Sequence, residues 1–159
     1  MTLTVHVCSR EEAAAILCSP AEREDVCFVV SIGEIDDLPP AGFGSVREKI
    51  RLHFADSLDE ETGPREADVE RLIAAARALD RRSGRVIVHC QAGISRSSAA
   101  AVILHTVLLG PESEEEAMAR VMENRPIARP NRRMIEIADR LLGRGGRLIA
   151  AVQAAMSSH

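Results

Sequence analysis

Residues 85–109, RVIVHCQAGISRSSAAAVILHTVLL, decide the fold of this chain. The β-branched apolar residues 86–88 predict a short buried strand that ends at His89. Residues 99–109 form an alanine-rich apolar run that is too long for a strand and predicts a buried helix. The residues between them are mostly small, and a strand, a loop of small residues and a helix N-terminus in this order form a site that binds anions.

The loop carries a cysteine at its start, Cys90, and an arginine at its end, Arg96. A free thiol titrates near ~8.5, and a helix N-terminus or a nearby cation lowers that pKa to roughly 3.5–7.5, so we expect a thiolate at Cys90. Arg96 offers a planar fork that matches two oxygens of a phosphate. Gly93 can adopt a positive φ, which lets the loop curl until its amides converge. The sequence therefore predicts a nucleophile and an oxyanion site on one loop.

Residues 89–97, HCQAGISRS, resemble the P-loop signature of the cysteine-dependent protein tyrosine phosphatases, in particular the small dual-specificity type. The match covers the His, Cys, Gly, Arg and Ser of the signature at their expected spacings, which makes it far more specific than a lone glycine motif. The resemblance extends over about residues 26–143, and we expect residues 1–159 to be a single phosphatase domain. The alternative without a catalytic function is a buried structural cysteine beside a helix cap, with Arg96 as a surface charge.

The resemblance implies a role for each residue of the site. Cys90 attacks phosphorus and forms a cysteinyl-phosphate, and Arg96 binds the phosphoryl oxygens and the charge of the transition state. His89 lowers the pKa of Cys90 from behind through hydrogen bonds, and Ser97 bonds the sulfur and eases breakdown of the intermediate. The residues expected to bind the substrate phosphate are Gln91, Ala92, Gly93, Ile94, Ser95 and Arg96. No cofactor and no metal is implied.

The mechanism also needs a carboxylic acid on a neighbouring loop to protonate the leaving oxygen. In residues 49–64, KIRLHFADSLDEETGP, the apolar residues alternate at 50, 52 and 54 and predict a strand that ends at Ala55. Asp56 lies just past that strand, where the family places its acid, and is the predicted general acid. Asp59 on the same loop is the alternative, and the glutamates that follow it are interpreted as solvated.

The rest of the chain predicts strands interleaved with helices, followed by a run of helices. Strands are expected over residues 2–8, 26–32, 50–55 and 85–89. Capping boxes predict helix starts at Ser9, Ser19 and Ser113, and amphipathic helices are expected from Pro64 and after Asn131, with a docked helix and frayed last residues in the tail, 144–159. We therefore predict an α/β fold, a single compact domain with a central, mostly parallel sheet of about four strands flanked by helices, the protein tyrosine phosphatase-like fold.

Composition limits the partners and the location. The chain has 159 residues, is 46% apolar and has a net charge of −4, which fits one globular domain and gives no reason to expect nucleic acid. No signal peptide is evident, and the longest apolar run is too short to cross a bilayer, so no membrane partner is expected. The cysteines besides Cys90 are Cys8, Cys18 and Cys27; they lack metal-ligand spacing and are interpreted as reduced core residues. We expect a cytoplasmic protein, with a monomer as the default.

The substrate class follows from departures from the larger phosphatase groups. The chain has no Trp and no Tyr, so it cannot form a Trp-Pro-Asp lid or a tyrosine wall, and we expect a shallow pocket. Gln91, Ala92 and Ile94 are neutral where phosphoinositide phosphatases of the superfamily tend to carry lysines. We therefore rank a phosphorylated protein, with a weak preference for phosphotyrosine, above a phosphoinositide or another small-molecule phosphate.

Several alternatives stay open at this point. A rhodanese-like sulfurtransferase also uses a cysteine at a strand–loop–helix junction, and a non-catalytic module could bind phosphate without turnover. Asn131 either supports the site, as in dual-specificity members, or caps a helix. The arginines at 129, 132 and 133 either flank the pocket or begin a solvated helix. A disulfide between Cys27 and Cys90 is a further hypothesis.

Overall fold

A four-stranded sheet forms the centre of the molecule in a computed structural model that describes residues 2–158. Its strands are β1 (Leu3–Cys8), β2 (Val26–Gly33), β3 (Lys49–His53) and β4 (Gly84–His89), in the spatial order β1-β4-β2-β3. Every neighbouring pair is parallel, so the sheet expected to be mostly parallel is wholly so. The carboxyl ends of all four strands therefore lie along one edge, where open α/β sheets bind their ligands.

Six α-helices lie within residues 2–158 and cover the two faces of this sheet unequally. They are α1 (Arg10–Leu17), α2 (Glu66–Ala78), α3 (Arg96–Leu109), α4 (Glu114–Asn124), α5 (Arg132–Leu141) and α6 (Arg147–Ser157). On one face, α1 and a short 3-10 turn at Phe43–Ser45 pack on Val29 and Ile87. The other helices enclose the larger core on the opposite face. Successive strand residues point to opposite faces, which explains why the continuous apolar runs of β2 and β4 are buried on both sides.

The buried helix α3 holds the centre of the larger core. Residues 99–104 have no exposed surface, and α3 packs against β1, β4, α2, α4 and α5. The small alanines let these neighbours approach the helix axis closely, while the larger apolar residues after Ala101 fill the space between helices. Within residues 2–158, no helix combines the length and the apolar composition that crossing a bilayer requires.

Most predicted elements are present, with shifted ends. The strand expected to end at Ala55 stops at His53, although Phe54 remains buried. The helix expected from Pro64 begins at Glu66. The docked tail helix is present as α6, and the last residue, His159, lies outside the described part of the chain. Asp139 fixes this helix, because its carboxylate accepts the backbone N–H groups of Gly146 at 2.8 Å and Leu148 at 2.9 Å.

Two of the three capping boxes are wrong. The Ser9 box is formed and begins α1. The hydroxyl of Ser19 accepts the N–H of Glu22 at 3.3 Å, but only turns follow, because β2 already begins at Val26. Ser113 precedes α4 without capping it and donates its hydroxyl to the carbonyl of Gly110.

The interpretation of the cysteines needs two corrections. Cys8 is buried and Cys27 half-buried, but Cys18 is exposed because it follows the last turn of α1. A Cys27–Cys90 disulfide does not fit the register: Phe28 is level with Val86, four residues before Cys90. That offset is about 13 Å along the strands at ~3.3 Å per residue, whereas a disulfide needs Cα atoms about 4.4–6.8 Å apart.

Candidate active site

The predicted anion loop joins β4 to α3 at the carboxyl edge of the sheet. We call residues 90–95 the P-loop. Gly93 has a φ of +70°, and a Cβ there would lie 2.5 Å from the backbone carbonyl carbon of Cys8. A side chain would therefore meet both backbone strain and the end of β1. The tight curl expected from the sequence is present, and β1 packs directly beneath it.

The carbonyl groups of the P-loop are bound from outside. Arg125 donates its Nε to the oxygen of Gly93 at 3.0 Å and its Nη2 to that of Ala92 at 3.1 Å. Backbone N–H groups bind two more carbonyls; the donor–acceptor pairs are Arg10–Gln91 (3.2 Å) and Arg129–Ile94 (2.8 Å). Since these carbonyls are turned outward, amides of the loop are free to face its concave side, where an anion fits.

The thiol of Cys90 lies at the bottom of this concave side and is 3% exposed. Burial alone raises the pKa of such a thiol, but hydrogen bonds outweigh burial here and lower the pKa of Cys90 below its usual value. The donors are the hydroxyl of Ser97, 3.1 Å from the sulfur, and the backbone amides of Ser97, Gly93 and Ile94. The site therefore stabilises a negative sulfur by the same groups that suit an oxyanion.

Arg96 begins α3 and is 6% exposed. Its Nη1 donates to the carbonyl oxygen of Phe54 at 2.8 Å, which fixes the guanidinium beside the end of β3. Its Nε is buried without a hydrogen-bond partner among residues 2–158. An unsatisfied buried donor costs roughly 1–3 kcal/mol, and an anion in the P-loop is the natural acceptor for it.

The loop after β3, residues 54–65, is the acid loop, and it brings one carboxylate to the P-loop. Oδ1 of Asp56 accepts the hydroxyl of Ser95 at 2.6 Å. The carboxylate of Asp59 instead accepts the N–H of Glu61 at 2.7 Å and stays within its own loop. The contact of Asp56 with a P-loop side chain distinguishes it from the alternative.

Comparison with known proteins gives one set of relatives by sequence and another by structure. No family model matches the chain. Human protein phosphatase Slingshot homolog 3 is 36% identical over 114 residues, which make up 69% of this chain and 16% of that protein. Human DUSP28 is similar in structure with a TM-score of 0.62 at 24% identity, covering 88% of each chain. PTPMT1 reaches a TM-score of 0.64 at 19% identity, covering 98% of this chain and 96% of that one.

The chain has the fold of the cysteine-dependent protein tyrosine phosphatases, and it is similar in sequence to a protein phosphatase over 69% of its own length. The structural similarity, at below 25% sequence identity, establishes the fold. The sequence similarity to Slingshot homolog 3 is a second, independent match to a phosphatase. This chain spans 16% of the length of that relative. The expected fold and the expected resemblance are thus confirmed, while the substrate is a separate question.

Behind the P-loop lies a polar chain of Arg51, Ser31 and His89. Nη1 of Arg51 donates to Oγ of Ser31 at 2.7 Å, and Oγ of Ser31 lies 2.6 Å from Nε2 of His89. Nδ1 of His89 lies 2.9 Å from the carbonyl oxygen of Cys90. Because a carbonyl only accepts, Nδ1 carries the proton and Nε2 accepts the hydroxyl of Ser31. Burial lowers the pKa of His89 to about 4, so the ring is neutral.

Asn131 performs both of the functions that the sequence left open. Its Oδ1 accepts the N–H of Met134 at 3.0 Å and begins α5. Its Nδ2 donates to Oδ1 of Asp56 at 2.9 Å, and its backbone N–H donates to the oxygen of Ser95 at 3.1 Å. It therefore joins the acid loop, the P-loop and α5.

The neighbouring arginines fit the helix-start alternative. Arg132 bonds Glu136 on α5 at 2.9 Å, and Arg133 donates to the oxygen of Pro64 at 2.7 Å. The side chain of Arg129 lies 3.9 Å from the sulfur of Met156. Their side chains are thus engaged with helices and loops rather than with the P-loop.

Sequence reasoning missed the residues that support the loop from a distance. Arg125 bonds the P-loop and pairs with Glu12 of α1 at 3.0 Å, and that hydrogen-bonded pair lowers the pKa of Glu12 to about 2. Ser31 left a detectable signal, since it is a polar residue at the carboxyl end of an otherwise apolar central strand. Arg125 and Arg51 left none, because their roles depend on contacts that form only in the fold.

Proposed function

We propose that this protein is a phosphomonoester hydrolase that acts on phosphorylated proteins, of the tyrosine or dual-specificity type, through a cysteinyl-phosphate intermediate. The observation that carries the proposal is the convergence on one small site of an activated thiol at Cys90, a buried guanidinium at Arg96 and the carboxyl group of Asp56. Binding phosphate alone requires neither the nucleophile nor the acid.

In the first step, the Cys90 thiolate attacks phosphorus and the bond from phosphorus to the substrate oxygen breaks. Asp56 gives that oxygen its proton. Both hydrogen bonds to the Asp56 carboxyl reach Oδ1, so the proton to be transferred belongs on Oδ2. The P-loop amides and Arg96 take up the negative charge of the phosphoryl group, because preorganised donors stabilise charge as it develops.

In the second step, water attacks the cysteinyl-phosphate, Asp56 takes a proton from that water, and the sulfur leaves as a thiolate. The hydroxyl of Ser97, 3.1 Å from the sulfur, stabilises the departing thiolate. His89 contacts neither sulfur nor substrate in this scheme. Through its bond to the Cys90 carbonyl, it orients the first peptide of the P-loop.

A phosphoinositide is the second candidate substrate. PTPMT1, similar to this chain in fold, has also been solved in complex with PI(5)P. The neutral side chains of Gln91, Ala92 and Ile94 favour a single phosphate, because a headgroup with several phosphates requires cations beside the loop. The protein substrate therefore stands first.

The test compares wild-type protein with Cys90→Ser and with Cys18→Ser, a control that removes an exposed thiol far from the P-loop. On an aryl phosphate in EDTA, we expect turnover by wild type and by Cys18→Ser, and a loss of roughly 10⁴-fold or more for Cys90→Ser. Acid quenching should trap phosphate on Cys90. A panel of phosphotyrosyl and phosphoseryl peptides and phosphoinositides then identifies the substrate class, and cyanide-dependent thiocyanate formation from thiosulfate would point to a sulfurtransferase instead.

A further inference from the structure

Large apolar side chains that lie mostly in solvent are few in the described part of the chain, and they lie on loops around the P-loop. They are Ile35 (83% exposed), Leu38 (75%), Leu58 (61%) and Ile127 (57%). A single exposed apolar residue needs no explanation. Four on loops that hydrogen bonds link to the P-loop do, because exposed apolar residues that gather at one edge of a fold mark a place of interaction. We call these four residues the apolar rim.

The loop after β2 carries the first two members of the apolar rim. Arg10 holds this loop by donating its Nε to the carbonyl oxygen of Leu38 at 3.0 Å, and the backbone N–H of the same arginine bonds Gln91 of the P-loop. Arg51 holds it from the other side, donating to the oxygen of Asp37 at 2.9 Å. Ile35 and Leu38 are thus fixed beside the P-loop.

The other two members of the apolar rim approach from the opposite sides. Leu58 lies two residues after Asp56, and the carbonyl of the intervening Ser57 accepts Nδ2 of Asn131 at 3.3 Å. Ile127 lies between Arg125 and Arg129, both of which donate to P-loop carbonyls. Leu58 and Ile127 therefore lie within two residues of groups that bond the P-loop, whereas Ile35 and Leu38 are linked to it through Arg10.

The charge of the two loops that carry Ile35, Leu38 and Leu58 selects the partner, whereas the loop of Ile127 carries only the arginines at 125 and 129. In residues 34–40 and 55–64 every charged residue is acidic. The carboxylates besides Asp56 are exposed and take part in no ion pair within residues 2–158; they are Glu34, Asp36, Asp37, Asp59, Glu60 and Glu61. Such charges act over about one Debye length, ~8 Å at physiological salt. They repel an anionic bilayer and attract cationic side chains.

We propose that the apolar rim and these carboxylates bind the residues that flank the phosphorylated side chain of a protein substrate, and that these flanking residues are apolar and basic. The proposal rests on the proposed phosphatase function and names its substrate more closely. The phosphate enters the P-loop, where Arg96 holds an unpartnered buried Nε. Apolar flanking side chains cover the apolar rim, and Lys or Arg beside them meets the carboxylates.

The experiment measures binding and turnover separately. Two labelled phosphotyrosyl peptides of equal length are compared, one flanked by Leu and Arg and one by Ser and Glu. Binding is measured by fluorescence anisotropy on Cys90→Ser, and kcat/KM on wild type. We expect the Leu/Arg peptide to bind and react at least ~10-fold better, which corresponds to burying part of one or two apolar side chains. Equal affinities for the two peptides would overturn the proposal.

Variants assign the preference to the apolar rim and to the charges. Ile35→Ser with Leu38→Ser should lower kcat/KM for the Leu/Arg peptide about 10-fold relative to kcat/KM for an aryl phosphate. Glu34→Lys with Asp36→Lys should remove the preference for Arg, while Glu115→Lys with Glu123→Lys on α4 changes the net charge equally and should keep it. Unchanged peptide selectivity in the first two variants would overturn the proposal.

Two further results separate this proposal from its neighbours. If Cys90→Ser binds the two peptides with different affinities but wild type turns over neither, peptide binding by the apolar rim is supported and the proposed phosphatase function is wrong. If wild type turns over aryl phosphate but does not distinguish the two peptides, the phosphatase function is supported and the proposal for the apolar rim is wrong. Sedimentation with phosphatidylserine vesicles that depends on Ile35 and Leu38 would identify a membrane surface and overturn the peptide proposal.

Discussion

Nδ2 of Asn131 lies 2.9 Å from Oδ1 of Asp56 and donates a hydrogen bond to it, while Oδ1 of the same asparagine accepts the N–H of Met134 and begins α5. One buried side chain thus sets both a helix end and the position of the proposed acid. The two contacts use different atoms of the amide group, so they can be separated by substitution.

Asn131→Asp should separate the two contacts of Asn131. Aspartate caps a helix as well as asparagine does, so the contact that begins α5 should be kept, and any loss of stability beyond it measures the repulsion between the two carboxylates. It cannot donate to Asp56 and adds a second carboxylate beside it, so turnover of aryl phosphates should fall. Asn131→Ala loses both contacts and should also lower the free energy of unfolding by about 1 kcal/mol. Urea denaturation and steady-state kinetics check this. Full activity in Asn131→Asp would mean that the contact with Asp56 has no function.

Asp56→Asn and Asp59→Asn should differ in their dependence on the leaving group. A general acid contributes typically 10²–10⁴-fold, and it matters most when the leaving oxygen is basic. Asp56→Asn should therefore slow phenyl phosphate strongly and an activated nitrophenyl or umbelliferyl phosphate much less. Asp59→Asn should behave like wild type, since its carboxylate bonds only its own loop. The reverse pattern would show that Asp59, and not Asp56, is the general acid.

The polar chain behind the P-loop should set the pH at which Cys90 ionises. Arg51, Ser31 and His89 bond in series to the Cys90 carbonyl, which orients the first P-loop peptide. Ser31→Ala and Arg51→Met should raise the pKa of Cys90, so the acid limb of kcat/KM and of iodoacetamide alkylation should move to higher pH. At pH 6 we expect about a threefold to tenfold slower reaction. Arg77→Met, an exposed arginine on α2, is the control. Unmoved profiles in both variants would exclude this function of the chain.

The local part of the site could be predicted from sequence, and the distant part could not. His89, Cys90, Gly93, Arg96 and Ser97 lie on one continuous segment, so their spacing alone places them on or beside the P-loop. The support of the P-loop by Arg125 joins residues 32 apart in sequence, and the bond between Ser31 and His89 joins residues 58 apart. Such contacts depend on which elements become neighbours, and a pattern along the chain does not encode this.

The failure of two capping boxes has the same origin, although at Ser113 the predicted helix start is present, since α4 begins at Glu114, and only the side-chain cap is absent. Ser19 and Ser113 have the sequence of a capping box, which is a local preference worth about 1 kcal/mol. At Ser19 the early start of β2 leaves no room for a helix, and at Ser113 the hydroxyl bonds the carbonyl of Gly110 instead. Tertiary structure overrides a preference of this size, whereas the long apolar run of α3 predicted its helix correctly.

Acid should destabilise the fold through two buried histidines. Burial lowers the pKa of His89 and of His105 to about 4 each, from 6.5. A group whose pKa is lower in the folded state takes up protons preferentially on unfolding, so its stabilising effect is present above pH 6.5 and is lost as the pH falls toward 4. Protonation of each histidine should lower the free energy of unfolding by up to about 3 kcal/mol over this pH range, at about 1.4 kcal/mol for each tenfold change in proton affinity.

Urea denaturation at pH 7 and pH 4.5 measures this loss for wild type and for His105→Gln. His105 lies on α3, away from the P-loop, so its replacement should reduce the pH dependence without changing the chemistry at Cys90. If the free energy of unfolding falls equally between pH 7 and pH 4.5 in wild type and in His105→Gln, His105 is not the group that titrates.

Gly93→Ala should abolish the anion site, and Gly44→Ala should not. At Gly93, φ is +70°, and a Cβ would lie 2.5 Å from the carbonyl carbon and 2.7 Å from the oxygen of Cys8. The left-handed backbone alone costs about 1–2 kcal/mol for a residue with a Cβ, and the end of β1 would have to move as well. At Gly44 a Cβ meets no atom within 4 Å. We expect Gly93→Ala to lose vanadate binding and activity together, because the amides of Gly93 and Ile94 that lower the pKa of Cys90 also cradle the anion. Vanadate bound as tightly by Gly93→Ala as by Gly44→Ala would show that the P-loop tolerates a different curl and that its amides do not determine the site.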